Sequence, residues 1–307
     1  MRFGLMTAAS LEGLHIDAIV ATAQQAEAAG FDSLWMANIF SLDAISTLGL
    51  VGRETHRIEL GTAVTPTYPR HPVAMAQQVL TTAQACGNRF VLGLGVSHRA
   101  VIEDLFGLSF AQPARHMREY LEVLRPLLRG EALNHTGPEF TLRKAQFRVP
   151  GVRDVPVVVA ALGRHMLRLT GELADGTSTW MVGPVTMKKH IVPQLMAGAL
   201  AAARPAPRVI GGFPVVLTHH VDEARARLAK LLAGYGQLPS YRRMLDREGV
   251  AGPADIALVG DEAALRVGLE RLRDSGVTDF NASIIPVEAG VYARTFDFLA
   301  SVRHEFA

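Results

Sequence analysis

The chain has 307 residues, 49% of them apolar and 20% charged, enough to bury a large core in an ordinary globular protein. Lys and Arg number 31 against 29 Asp and Glu, a net +2 that leaves neither a basic stripe for nucleic acid nor an acidic tail. No run of 18 uncharged apolar residues predicts a membrane span and no signal peptide opens the chain. The single Cys86 excludes a disulfide framework and a cysteine zinc cluster. Together these predict a cytoplasmic protein acting on small molecules.

Short β-rich runs alternate with helical patterns from the start. Arg2–Met6 reads as a strand. A helix follows from about His15 to Ala29, with Ile16, Ile19, Val20, Ala23 and Ala26 at helical spacing and Gly30 as its stop. Ser33–Met36 is a second strand and Asp43–Arg53 a helix; Arg57–Val64 is a third strand, followed by a helix over Pro72–Gln84 and a strand over Arg89–Leu94. The rhythm returns at Pro156–Ala160, a continuous apolar run typical of a strand covered on both faces. A helix over Gly163–Leu173, a strand over Gly176–Trp180, a helix over Val185–Ala203 and a strand over Arg208–Thr218 come next. The helix Asp261–Ser275, the strand Thr278–Ile285 and the helix Val291–Phe306 close the chain.

Eight such strands predict a (β/α)8 TIM-like barrel of the α/β class, spanning 1–307 as one domain with insertions at about 130–153 and 235–253. The segment Gly130–Arg153, with Gly137, Pro138, Pro150 and Gly151, reads as an inserted lobe placed to cover the site as a lid. Tyr235–Pro253, rich in Gly, Pro and charge, reads as a second excursion. A doubly wound sheet would need a glycine-rich dinucleotide turn after an early strand. The nearest candidate, Gly93-Leu94-Gly95-Val96-Ser97-His98, has His98 where the third glycine belongs and follows the fourth strand.

The chemical inventory is narrow. Eleven histidines include no H-E-x-x-H and no i, i+4 pair backed by a carboxylate, so no metal site is expected. Ser97 lacks a nucleophile elbow, and Cys86 at a helix end reads as core. There remains the rim formed by loops after the strand ends: Met36–Phe40, Ala63–Pro66, Gly95–His98, Ala161–His165 and Trp180-Met181. This rim is mostly small and apolar, which suits a flat aromatic cofactor better than a highly charged substrate. At Ala161-Leu162-Gly163 a buried strand meets a helix start, and Arg164 and His165 add cations there. That arrangement fits a phosphate, and equally an ordinary strand-to-helix turn.

These segments resemble a known family. Phe31-Asp32-Ser33-Leu34-Trp35, Leu60–Pro66, Arg70-His71-Pro72 and Asn88–Gly95 are similar, in order, to the luciferase-like monooxygenase superfamily. Val159–Gly163 with Gly171–Gly176, and Leu258–Asp261, resemble its branch of F420-dependent oxidoreductases. The resemblance implies a barrel that binds a flavin or 5-deazaflavin at its carboxyl end and transfers hydride. It implies a cis peptide at Ala63–Val64 behind the ring, with Thr65 beyond it and Asn38 near the ring's polar edge. Gly95, Val96, Ser97 and His98 match the loop along the cofactor, and Ala161, Leu162, Gly163, Arg164 and His165 match its phosphate side.

The departures matter as much. The sugar-phosphate dehydrogenase branch has an Asp-His pair after the second strand and a Glu in the fourth-strand loop, where this chain has Asn38-Ile39 and His98. Ile39 moves no proton, so that branch's substrate and acid–base scheme do not transfer. His98 is the candidate catalytic proton donor or acceptor; its other readings are a hydrogen bond to the cofactor or a solvent-facing ring. The expected function is hydride transfer between coenzyme F420 and an organic substrate. The alternatives are an FMN-dependent monooxygenase and a cofactor-binding protein without substrate chemistry. The resemblance also implies a homodimer through the helices Asp43–Arg53 and Pro72–Gln84.

Overall fold

Successive residues of a strand face opposite sides of its sheet, so a closed barrel sorts each strand into an inward and an outward set. The computed structural model, which describes residues 1–7 and 15–306, has this arrangement. Eight parallel strands form it: β1 (Arg2–Thr7), β2 (Ser33–Met36), β3 (Glu59–Thr62), β4 (Phe90–Gly95), β5 (Val157–Ala160), β6 (Gly176–Trp180), β7 (Arg208–Leu217) and β8 (Asp279–Ile284). They pair in chain order, and β8 closes the ring on β1 through Arg2 opposite Asp279 and Leu5 opposite Ala282.

The outward set, including Leu34, Met36, Leu60, Leu92 and Val159, joins the large core under the surrounding helices. The inward set is small: Trp35, Val91, Val158 and Ile210 form a separate cluster inside the barrel. Trp35 fills that space, and Gly61 is required beside it, because a Cβ there would lie 2.3 Å from the indole. Below the cluster, at the amino ends of the strands, Arg208 bridges Glu59 (2.8 Å) and Asp279 (2.6 Å), and Arg2 approaches both. Burial works against the charge on Arg208, but hydrogen bonds and attraction from Asp279 and Glu59 outweigh it and hold the guanidinium above its ordinary range. This ionic floor closes one end. The carboxyl end stays open.

The helices are α1 (Ile16–Ala28), α2 (Ala44–Arg53), α3 (Pro72–Ala85), α4 (Pro113–Leu128), α5 (Arg164–Leu173), α6 (Val192–Ala201), α7 (Val221–Gln237), α8 (Pro239–Glu248), α9 (Glu262–Asp274) and α10 (Val291–Val302). Local chemistry starts several of them. Asp43 accepts from Ser46 N–H ahead of α2, Asp261 accepts from Ala264 N–H ahead of α9, and Pro72 stands in the first turn of α3.

Several elements differ from the sequence pattern. Neither α4 nor α7 is predicted by it, yet both form. The third strand is shorter than Arg57–Val64: it stops at Thr62 and resumes as Thr65–Pro66 against Leu94 and Gly95 of β4. The helix expected over Val185–Ala203 is divided into a turn at Pro184–Thr186, a π-helical turn at Met187–Ile191, and α6. The excursion 235–253 is largely helical, made of the end of α7 and all of α8.

The Gly130–Arg153 insertion is an antiparallel hairpin, Leu133–Thr136 with Thr141–Ala145. It lies against the outer helices, tied to α4 by Glu119, which accepts from the backbone N–H groups of Glu139 and Phe140. Gln84 and Asn88, at the end of α3, hold its base through the carbonyls of Pro150 and Gly151. None of its described residues lines the carboxyl-end cavity, so the hairpin is not the lid that the sequence leads one to expect.

Candidate functional site

Small residues at the strand ends let the backbone close in around a cavity at the carboxyl mouth. A Cβ on Gly93 would lie 1.8 Å from the Thr62 carbonyl oxygen, and one on Gly95 would lie 2.5 Å from Val64 Cγ2. These glycines allow β4 to pass directly beside the end of β3, where the Ala63–Val64 peptide is cis, as the resemblance implied. Thr62 Oγ1 ties the two strands by donating to the Gly93 carbonyl (2.8 Å) and accepting from the Gly93 N–H (2.9 Å). Phe40, Ser97 and Met181, which follow β2, β4 and β6, all have positive φ (35°, 61° and 51°). Few side-chain-bearing residues adopt that conformation.

The cavity has two lobes that share a wall of Met6, Ala63, Val64, Gly95, Ser97 and His98, with Trp180, Leu238 and Tyr241 opposite. One lobe, of about 950 Å³, extends over Val96, Ala160, Ala161, Leu162 and Gly163 to Arg99 and Arg243. The other, of about 740 Å³, extends over Asn38 and Ile39 to Leu231 and Tyr235. Either lobe is large enough for a small organic ligand.

The structure brings Asn38, Ala63, Val64, Gly95, Val96, Ser97, His98, Ala161, Leu162 and Gly163 to this cavity. It does not bring Thr65, Arg164 or His165 there. Thr65 is fully buried behind the wall, its Oγ1 without a hydrogen-bond partner. Arg164 and His165 sit on the first turn of α5 with exposed side chains, since that helix runs outward from Gly163. The cations that do reach the larger lobe are Arg99 and Arg243, and Arg99 is already paired with Glu103 at 2.6 Å. The start of α5 carries no side-chain cap, so its backbone N–H groups remain available beside Gly163.

His98 stands on both lobes. Its ring lies 6.0 Å from that of Tyr241, and Tyr241 meets Tyr235 edge to face at 5.5 Å. Burial pushes the His98 imidazole below its ordinary pKa, and burial pushes the Tyr241 phenol up. Both groups are therefore neutral near pH 7. Asn38 Oδ1 accepts from Ala44 N–H (3.0 Å), and its amide NH2 has no partner among the described residues, which lets it face a ligand. Cys86 is fully buried, its thiol pushed up to about 11, so it supplies no nucleophile.

Sequence reasoning missed the roof of this site. Leu231, Tyr235, Leu238, Tyr241 and Arg243 come from α7, α8 and the residue that joins them, and all but Leu231 lie in the stretch read only as an irregular excursion. The available signal was its two tyrosines, out of place in a segment otherwise rich in Gly, Pro and charge.

Comparison with known proteins agrees with this architecture. Residues 1–279 match the family model for luciferase-like monooxygenases. The chain is 31% identical over 256 residues to a 5,10-methylenetetrahydromethanopterin reductase of Methanolobus tindarius, covering 80% of this chain and 77% of that one. It is 32% identical over 282 residues to a Mycobacterium tuberculosis protein named as a coenzyme F420-dependent oxidoreductase, covering 88% and 70%. The solved structure of the coenzyme F420-dependent tetrahydromethanopterin reductase of Methanopyrus kandleri superposes with a TM-score of 0.82 at 22% identity, over 97% of each chain. No helix among the described residues is long and apolar enough to cross a membrane. The barrel, its two-lobed carboxyl-end cavity and these matches agree: the chain belongs to the luciferase-like monooxygenase family.

Proposed function

We propose that the protein is an oxidoreductase that uses coenzyme F420 to move a hydride to or from an organic substrate. The observation that carries this reading is the larger lobe: a slot walled by Gly95, Val64 and Ala160–Gly163 that ends at an uncapped helix start. Gly163 has open space where a Cβ would stand, which suits the close approach of a phosphate to backbone. The residues present thus fit a deazaflavin. Ala63, Val64 and the Gly95–His98 loop would hold its ring, Asn38 its polar edge, and Ala161–Gly163 with Arg243 its phosphate-bearing side. A relative at 32% identity that carries an F420-dependent name supports the same cofactor.

When bound, the deazaflavin would supply reversible two-electron hydride chemistry. The chain's own part is positioning, exclusion of water and the handling of one proton. The side chains of α7 and α8 roof the cavity and keep water from the ring face. His98, kept neutral by burial, has one ring nitrogen able to accept a proton and one able to donate, which is the requirement for a group acting as substrate oxygen gains or loses charge. Of the two carboxylates further along the β4 loop that reach the larger lobe, Glu103 is paired with Arg99 and Asp104 does not share the wall common to both lobes as His98 does, so the proton is assigned to imidazole.

An oxygen electrode separates this reading from a flavin monooxygenase. Protein supplied with reduced FMN is expected to consume oxygen no faster than reduced FMN alone. Protein-dependent, substrate-stimulated oxygen uptake would overturn the proposal.

A further inference from the structure

The smaller lobe differs from the larger one in charge and in what it leaves unpaired. Among the described residues its ionisable wall groups are Asp43, Arg70, His98, Tyr235 and Tyr241. Asp43 and Arg70 pair with each other at 2.7 Å. Burial works against the Asp43 charge, but hydrogen bonds from Ser46 and the adjacent Arg70 prevail and keep the carboxylate ionised. Gln78 donates to its other oxygen. His98 and both tyrosines are held neutral by burial. Among the described residues the lobe therefore carries no uncompensated charge. An anion entering it would lose its hydration and meet no free cation among them.

The rest of the wall is apolar apart from Asn38, Ser41, Ser97, Trp180 and Ser283, and it continues outward as an apolar rim: Phe40, Phe106 and Leu231 are 66%, 41% and 57% exposed. Two of these five polar residues have a buried group without a partner. Ser283, 1% exposed at the end of β8, has an Oγ with no hydrogen-bond partner, and the buried Trp180 Nε1 has none either. Both residues line this lobe. Beneath Ser283 on the same inward face of β8, Asn281 is also buried and unpartnered at both side-chain atoms. Buried polar groups in folded proteins nearly always find a partner, so each of these groups awaits one from a ligand or from water. An indole N–H can only donate and a serine hydroxyl can do both, a combination that matches a carbonyl or hydroxyl oxygen.

We propose that the smaller lobe is the substrate subsite, and that it selects an uncharged, largely apolar molecule whose single carbonyl or hydroxyl oxygen is bound by Trp180 Nε1 and Ser283 Oγ. This rests on the cofactor occupying the larger lobe. Ser283 and Trp180 are specificity-determining residues in this scheme, and the Asp43–Arg70 pair keeps the lobe electrically neutral.

The test uses the cofactor-free protein and three probes of one size: cyclohexanone, cyclohexanol and cyclohexanecarboxylate. Binding is read by calorimetry and by indole fluorescence, where Trp180 is the reporter because Trp35 lies inside the barrel with its Nε1 donating to Ser33 Oγ. The neutral probes are expected to bind and the carboxylate to bind at least about tenfold more weakly, the cost of desolvating an unpaired charge. Ser283→Ala and Trp180→Phe are each expected to weaken cyclohexanone about threefold to tenfold, the worth of one hydrogen bond, with the melting temperature of the free protein kept as a check on folding. Ile39→Arg, which adds an unpaired cation to the wall, is expected to reverse the preference toward the carboxylate. Equal or tighter binding of the carboxylate to the unaltered protein, no binding of the neutral probes, or no effect of either substitution would overturn the proposal. F420 titrated into the same preparation separates the two readings. Selective ketone binding without F420 affinity would sink the cofactor reading alone, and F420 binding with carboxylate preference would sink only the subsite.

Discussion

The ring of His98 on the β4 loop lies 6.0 Å from the ring of Tyr241 on α8, joining the barrel rim to the helices that roof it. This contact buries the imidazole, and burial lowers its pKa. The linkage has a definite sign. The folded protein binds the proton less readily than the unfolded chain, so His98 carries no penalty above its ordinary pKa of about 6.5 and a growing one as the pH falls below it. His98→Gln is expected to reduce the acid sensitivity of folding between pH 7 and 5. Imidazole NMR titration of the native protein should place the His98 midpoint below 6.5, and a midpoint above it would contradict the burial argument.

At the other end of the barrel, Arg208 holds Glu59 and Asp279 together, and the Asp279 side chain is only 3% exposed. Arg208→Met would leave two carboxylates facing each other without their shared counter-ion, although Arg2 still approaches from one side. Breaking such a partly buried network is expected to cost about 3–5 kcal/mol in denaturant unfolding. A loss below about 1 kcal/mol would show that Arg2 and solvent suffice.

Two glycines of the site should behave in opposite ways. Gly93→Ala places a methyl 1.8 Å from the Thr62 carbonyl, a backbone atom that cannot swing aside. It is expected to destabilise the protein by about 1–3 kcal/mol or more, as overpacking does. Gly163→Ala meets nothing within 4 Å at a negative φ of −82°, so stability should stay within about 0.5 kcal/mol. Thermal unfolding of the two variants side by side checks the contrast.

The hairpin over 130–153 can be loosened without touching the cavity. Burial opposes the Glu119 charge, but N–H groups of Phe140 and Glu139 and the His135 ring outweigh it and hold the carboxyl below its ordinary range. That stabilisation is present above the ordinary pKa and is lost as the pH falls through the lowered one. Glu119→Ala is expected to speed tryptic cleavage at Arg143 and Lys144 while leaving F420 affinity unchanged. A fall in affinity would restore the lid reading.

Much of the barrel was legible because its strands are short apolar or β-branched runs bounded by Gly and Pro, and because its helices start at Asp43, Pro72 and Asp261, which announce themselves. The helix α4 escaped because Pro126 lies inside it and Gln112, with φ 49°, precedes it without a side-chain cap. The roof escaped for a related reason. Gly234, Gly236 and Pro239 are turn residues by propensity, yet tertiary packing of Leu228 and Leu232 carries α7 through the glycines. Of the site, the small residues at the strand ends were readable from chain order. Ser283, Trp180 Nε1 and the Asp43–Arg70 pair were not, because their importance lies in which partners they have or lack in three dimensions.

The central claim is the cofactor, and the most direct measurement is a pair of fluorescence titrations of the purified protein, one with F420 and one with FMN. The account predicts micromolar or tighter binding of F420 and much weaker binding of FMN. Tight FMN binding with weak F420 binding would contradict it.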